Sequence, residues 1–152
     1  MTAENKISDI KIFIGSDHAG FELKEKLKAY LVISGIPVED VGTFTKDSCD
    51  YPLIAKKLCE KLLASTGPSI GILVCGTGAG MSMAANRHPR IRAAVCTSEY
   101  MAVMARRHND ANVLCLGRRV VGDGMAESIV MTFLLEGFEG DRHARRIAQI
   151  DA

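Results

Sequence analysis

The sequence predicts an α/β protein: a five-stranded, doubly wound parallel sheet in three layers, with a further helix at the C-terminus. Two observations carry this. Short β-branched runs alternate with longer stretches of helical period across about 130 residues. The central run, Ile70 to Val74, is almost continuously apolar, as a strand covered on both faces must be. A length of 152 residues fits one domain, expected over 11–152. The polar stretch 1–10 is expected to be a short, flexible N-terminal extension.

The first strand is expected over Lys11 to Ile14. Leu23, Leu27 and Leu31 then recur four apart, which lines one face of a helix. A second strand over Val38 to Val41 leads to another helical stripe, Leu53, Ala55, Leu58 and Leu62. The central strand precedes a short helix over Met81 to Arg87. Strands over Arg92 to Val95 and Asn112 to Leu116 flank a helix over Tyr100 to Arg107. Ala126 to Leu135 has helical period, and Arg142 to Ile150 follows the breaker Glu139-Gly140.

Composition narrows the function classes. Nineteen Lys and Arg against 18 Asp and Glu leave a net charge of +1, which excludes a polybasic nucleic-acid arm. No apolar run approaches the ~18–20 residues of a membrane span. Residues 1–10 have neither a basic nor an apolar signal region. The expectation is a soluble, cytoplasmic protein with no nucleic-acid or membrane partner. The five cysteines, Cys49, Cys59, Cys75, Cys96 and Cys115, are odd in number and contain no CxxC pair. That argues against a disulfide framework and a structural zinc site. No His, Cys and carboxylate grouping has metal-ligand spacing, so neither metal nor cofactor is expected.

In an open parallel sheet, ligands collect beyond the carboxyl ends of the strands. The first strand is followed by Gly15-Ser16-Asp17-His18-Ala19-Gly20, an acid and an imidazole in a tight turn. Asp17 serves there either as a helix N-cap or as a polar ligand. The third strand is followed by Cys75-Gly76-Thr77-Gly78-Ala79-Gly80, whose glycines let backbone N–H groups converge on an anion. Met81 stands where G-x-G-x-x-G needs its last glycine, and G-K-[ST] is absent, so dinucleotide and P-loop readings are weak. The amides behind Cys75 favour a thiolate, which can act as base or nucleophile. A phosphatase nucleophile of the C-x₅-R type would need arginine at 81, so proton abstraction gains. Further on, His108-Asn109-Asp110 forms a second polar group, read as a helix C-cap or a tautomer-fixed histidine. Gly117-Arg118-Arg119 puts a basic pair at a carboxyl end, and Arg142 and Arg146 stand four apart on one helix face. Two guanidinium groups so spaced suit a phosphate monoester.

Several of these motifs together resemble the type B ribose-5-phosphate isomerases. The resemblance rests on Asp17-His18-Ala19-Gly20 with Phe21, Asp50-Tyr51-Pro52, and Cys75 through Ser82. It continues in His108-Asn109-Asp110-Ala111-Asn112, Gly117 with Arg119, and Arg142-His143 followed by Arg146. It runs in order from about Ile10 to Ile150. What it implies is a Rossmann-like, metal-independent aldose–ketose isomerase of the pentose phosphate pathway, acting on ribose 5-phosphate and ribulose 5-phosphate. The site would lie at a subunit interface of a homodimer or a dimer of dimers. By resemblance, Cys75 is the base that moves the C2 proton to C1, and His108 opens the furanose ring. Thr77 with the amides of Gly76, Gly78, Ala79 and Gly80 would hold the enediolate oxygens. Asp17 would bind sugar hydroxyls, and His18, Asn109, Arg119, Arg142 and Arg146 phosphate and sugar. Some members carry a glutamate base later in the glycine loop, but Ala79 through Ser82 offers no carboxylate. Ser48 and Cys49 stand where related enzymes often place an arginine. The alternatives are an isomerase of allose or galactose 6-phosphate, and a non-catalytic nucleotide- or phosphate-binding module.

Overall fold

The computed structural model describes residues 7–152. Five strands form the sheet: β1 (Lys11–Ser16), β2 (Val38–Asp40), β3 (Ser69–Cys75), β4 (Ala93–Val95) and β5 (Val113–Gly117). All pair in parallel, in the order β2-β1-β3-β5-β4. Six helices alternate with them among the described residues: α1 (Phe21–Ile33), α2 (Tyr51–Ala64), α3 (Ala79–Ala85), α4 (Glu99–Asn109), α5 (Asp123–Leu135) and α6 (Arg142–Ile150). None is long and apolar enough to cross a membrane.

Period-two alternation divides the core into two layers. Ile12, Ile14, Ile70, Ile72, Val74, Leu114 and Leu116 face one side, where α1, α4 and α5 pack. Phe13, Leu73, Val113 and Cys115 face the other, under Leu58 and Leu62 of α2 and Met81 of α3. The doubly wound, three-layer expectation is met. Of the expected extension 1–10, residues 1–6 lie outside the described residues, and Ile7 is buried in the core.

Element ends differ from the sequence reading in ways that shape the site. β3 runs on to Cys75, its amides and carbonyls paired between β1 and β5, so the thiol stands on a fixed strand end. The edge strands are shorter than expected. Arg92 gives its N–H to the Asn112 side chain at 2.8 Å instead of to a strand, so β4 begins one residue late. α3 starts at Ala79 and stops at Ala85, because the Asn86 side chain turns to bracket β4 through the Ala93 N–H and carbonyl (2.7 and 2.9 Å).

A buried cation ties α1 to the loop after β2. Lys24 has no exposed surface, and its Nζ donates to both Asp40 carboxylate oxygens at 2.9 and 2.8 Å and to the Thr43 carbonyl. The Phe21 and Phe44 rings flank it, with centroids 5.2 and 5.1 Å away. Burial alone would raise the Asp40 carboxyl. Hydrogen bonds from Lys24, Lys28 and the Gly42 amide outweigh it and hold Asp40 below its ordinary value. Lys24→Met is therefore expected to cost about 1.5–3 kcal/mol in chemical denaturation, since Asp40 then keeps only Lys28 and the Gly42 amide as partners. A loss below 1 kcal/mol contradicts the latch. The sign for acid follows from the lowered value. Asp40's contribution is complete above the unfolded carboxyl value of about 3.9 and disappears as pH falls through the lower folded one.

Candidate active site

The chain turns from β1 to one side of the sheet and from β3 to the other. Their adjacent carboxyl ends therefore open a crevice, the usual ligand position in such sheets. The loop after β1 is fastened across it: Asp17 donates its N–H to the Val74 carbonyl at 3.2 Å. The Asp17 carboxylate accepts the Gly20 N–H at 3.0 Å, which closes the turn before α1 rather than capping a helical amide. Gly20 is obligatory here, because a Cβ would lie 2.4 Å from the Val74 carbonyl oxygen.

Cys75 closes β3 with its side chain 5% exposed at the crevice floor. Its Sγ accepts the Gly78 N–H at 3.1 Å. Gly78 can turn its amide back because its φ is +85°, the left-handed region. The Ala79 N–H goes to Thr77 Oγ1 at 3.2 Å. The loop after β5 straps this turn down, with Arg118 N–H on the Cys75 carbonyl (2.8 Å) and Arg119 N–H on the Gly76 carbonyl (2.9 Å). Three other cysteines are buried in the core. Burial pushes Cys59 up to about 12, Cys96 up to about 11 and Cys115 well above its ordinary value.

A pocket of about 290 Å³ lies over the thiol. Asp17, His18, Gly76, Thr77, Gly80 and Arg119, all singled out from sequence, line it. His18 Nδ1 accepts the Cys49 N–H at 3.2 Å, so its remaining proton sits on Nε2. The backbone amide at position 49, which any residue but proline would supply, thus orients His18. Gly78 and Ala79 do not line the pocket. Their amides serve Cys75 and Thr77.

The other expected site residues stand elsewhere. A helix joining two parallel strands runs back against them, so the C-terminus of α4 lies at the amino ends of the strands, opposite Cys75. His108 and Asn109 occupy that end, and Arg142 and Arg146 are exposed on α6 beside it. His108 stacks face to face on His143, with ring centroids 4.1 Å apart and planes 11° from parallel. Both Nε2 atoms lie 3.8 Å from one oxygen of Glu139. One copy of the chain therefore holds the expected site residues in two groups at opposite ends of its sheet.

The model of the Ribose/Galactose Isomerase family matches residues 12–150. The chain belongs to that family. "Ribose-5-phosphate isomerase B" of Escherichia coli is 46% identical over 144 residues, covering 93% of this chain and 95% of that one. A crystal structure of a ribose 5-phosphate isomerase from Thermotoga maritima superposes with a TM-score of 0.90 at 55% identity, covering 93% and 97% of the two chains. That of ribose-5-phosphate isomerase B from Mycoplasma genitalium, solved with ribulose 5-phosphate bound, gives 0.84 at 42% identity over 93% and 94%.

Two residues of this isomerase-family chain went unassigned in the sequence. Tyr51 lines the pocket, and its ring lies 2.9 Å from where a Gly80 Cβ would stand, so the two fit only with glycine at 80. Pro52 in the next position reads as a helix start, which draws attention away from Tyr51 as a pocket wall. His143 sits between two arginines that read as a phosphate pair. Only the packing of α6 on α4 brings it to His108.

Proposed function

We infer that this chain is an aldose–ketose isomerase that interconverts D-ribose 5-phosphate and D-ribulose 5-phosphate, working in the cytoplasm without metal or cofactor. The observation that carries the reading is Cys75 Sγ held by the Gly78 amide beneath a pocket with Asp17, Thr77 and Arg119 on its walls. The relatives named for ribose 5-phosphate isomerisation support the choice of a pentose. The free state of all five cysteines fits a reducing compartment.

The two groups at opposite sheet ends support an active site shared between two copies, in a homodimer or a dimer of dimers. His108 of a second copy takes the O1 proton of the furanose and returns a proton to the ring oxygen as the C1–O4 bond breaks. That leaves an open-chain aldehyde. The Cys75 thiolate then removes the C2 proton, and the electron pair moves into a C1=C2 bond with the charge on O1. Donors already aimed at that oxygen lower the barrier most, a part that falls to the Thr77 hydroxyl and the glycine-loop amides. Returning the proton to C1, while the O2 hydroxyl loses its own to O1, yields the ketose. Arg142 and Arg146 of the second copy, with Arg119 and His18, clamp the phosphate, and this remote binding orients the reacting carbons. The test is kcat/KM across five- and six-carbon aldose phosphates. Ribose 5-phosphate is expected to lead; a preference for allose or galactose 6-phosphate, or nucleotide binding without turnover, defeats the assignment.

A further inference from the structure

Among the described residues the His108 ring makes no hydrogen bond, although it sits half-exposed at a helix end where a side chain would otherwise swing freely. Its orientation rests on two contacts, the His143 face and the Glu139 carboxylate. Glu139 comes from the segment between α5 and α6, which is bound firmly to α4, and His143 from the first turn of α6 that follows it. Arg107 holds Glu136 through two hydrogen bonds of 2.7 and 3.3 Å, and the Glu139 N–H donates to the Arg107 carbonyl at 3.0 Å. His143 begins α6, 5% exposed, and its Nε2 has no hydrogen-bond partner. Burial first, then the neighbouring His108 and Arg142, keep it below the ordinary histidine value, so this ring is neutral near pH 7.

Three donor atoms, from His108, Glu139 and His143, lie within 4.8 Å of one another, as in a metal site. The ring planes argue otherwise. An imidazole binds a cation in its own plane, and two rings 11° from parallel with centroids 4.1 Å apart share no such point. A buried neutral ring lying flat beneath an exposed one is instead a platform. It fixes the plane of the upper ring and stabilises a positive charge passing through it.

We propose that His143, with Glu139, is a positioning residue for ring opening: the stack sets the His108 ring at the angle from which it moves protons between O1 and the ring oxygen. The role rests on the proposed isomerase reading. During opening the His108 ring gains the O1 proton and loses one to O4, ending neutral. The passing charge faces the His143 π-surface and a carboxylate oxygen 3.8 Å from Nε2, close enough for attraction without a hydrogen bond that would tie the nitrogen down.

Ribulose 5-phosphate gives the discriminating test. Its C5 oxygen is esterified, so it cannot close to a furanose, and loss of its C1 proton to D₂O needs Cys75 but no ring opening. In His143→Ala, isomerisation from ribose 5-phosphate is expected to fall about 10²-fold, the loss typical of misplacing a reacting group by ~1 Å. Proton exchange from ribulose 5-phosphate stays near wild type, and His143→Phe, which keeps a flat ring, recovers most of the forward rate. Equal losses in both assays would mark a structural or phosphate-clamp role and overturn the proposal. So would no loss in either, or a forward loss that phenylalanine leaves unrepaired. A readout independent of turnover separates this proposal from the assignment of function. The NMR signal of the His108 ring proton between its nitrogens, shifted by the ring current of His143, moves in His143→Ala. If it does not move, the stack is wrong whatever the substrate; a wild type inert on ribose 5-phosphate faults the function instead.

Discussion

In Cys75→Ala, kcat on ribose 5-phosphate is expected to fall by about 10²–10⁴-fold or more, the contribution typical of a positioned general base. Affinity for the sugar phosphate is expected to change little, because the substitution leaves Asp17, Thr77 and Arg119 around the pocket. The other acid–base groups of the pocket are already engaged, His18 by the Cys49 N–H on its Nδ1. Asp17 commits one carboxylate oxygen to the Gly20 amide, and no acid or histidine occurs between Cys75 and Arg87. Removing sulfur also frees the Gly78 N–H that now points at it, and relaxation of the φ +85° turn would loosen the Thr77 end of the loop. A coupled assay with calorimetry on the same protein separates the two effects. Turnover close to wild type ends the role of Cys75, whereas lost binding with normal folding assigns it to substrate recognition. Cys75→Ser refines the result: a hydroxyl of the same reach can keep the Gly78 hydrogen bond but is a far poorer base, so it should restore the loop without the rate.

Mixing two inactive proteins should restore activity. If Cys75 of one copy works with His108 of another, Cys75→Ala and His108→Asn subunits combine into mixed dimers with one wholly wild-type site and one doubly defective site. Random assembly puts about half of all dimers in mixed form, so recovery approaches roughly a quarter of wild-type turnover. A site built within one chain would give none, because each subunit then carries its own lesion. The expected rise, from near zero to that fraction, is large enough to read in crude assays after co-expression. Its physical basis is the direction of α4, which runs against the strands and carries His108 away from the end where β3 delivers Cys75. Exposed apolar side chains on α2, α3 and α4, among them Leu53, Met83 and Tyr100, offer area for such an association.

Much of the candidate pocket was legible in the sequence because it is local. The Asp17-His18 turn and the Cys75 to Gly80 loop are short segments, and a strand before and a helix after each one already dictate where they sit. Arg119 was legible for the same reason, as the second residue after a strand end. Tyr51 and Cys49 were not, because neither signals a role by type or spacing. Cys49 acts on His18 through a backbone amide that every residue but proline owns. Nothing in the local pattern around Lys24 shows its burial, which comes only when the loop after β2 folds over it.

Periodicity and residue type by themselves determined the alternating strands and helices, the glycine loop under a lone candidate base, and the paired arginines. These depend on contacts within a few residues, where geometry is set by the helical repeat and the strand pleat. Tertiary structure alone decided the order β2-β1-β3-β5-β4, the buried Lys24–Asp40 pair, the His108–His143 stack, and the placement of the expected site residues at two ends of the sheet. Each of these joins residues far apart in the chain or sets the direction of a whole element, and such pairings arise from how packed layers share a core rather than from any local pattern.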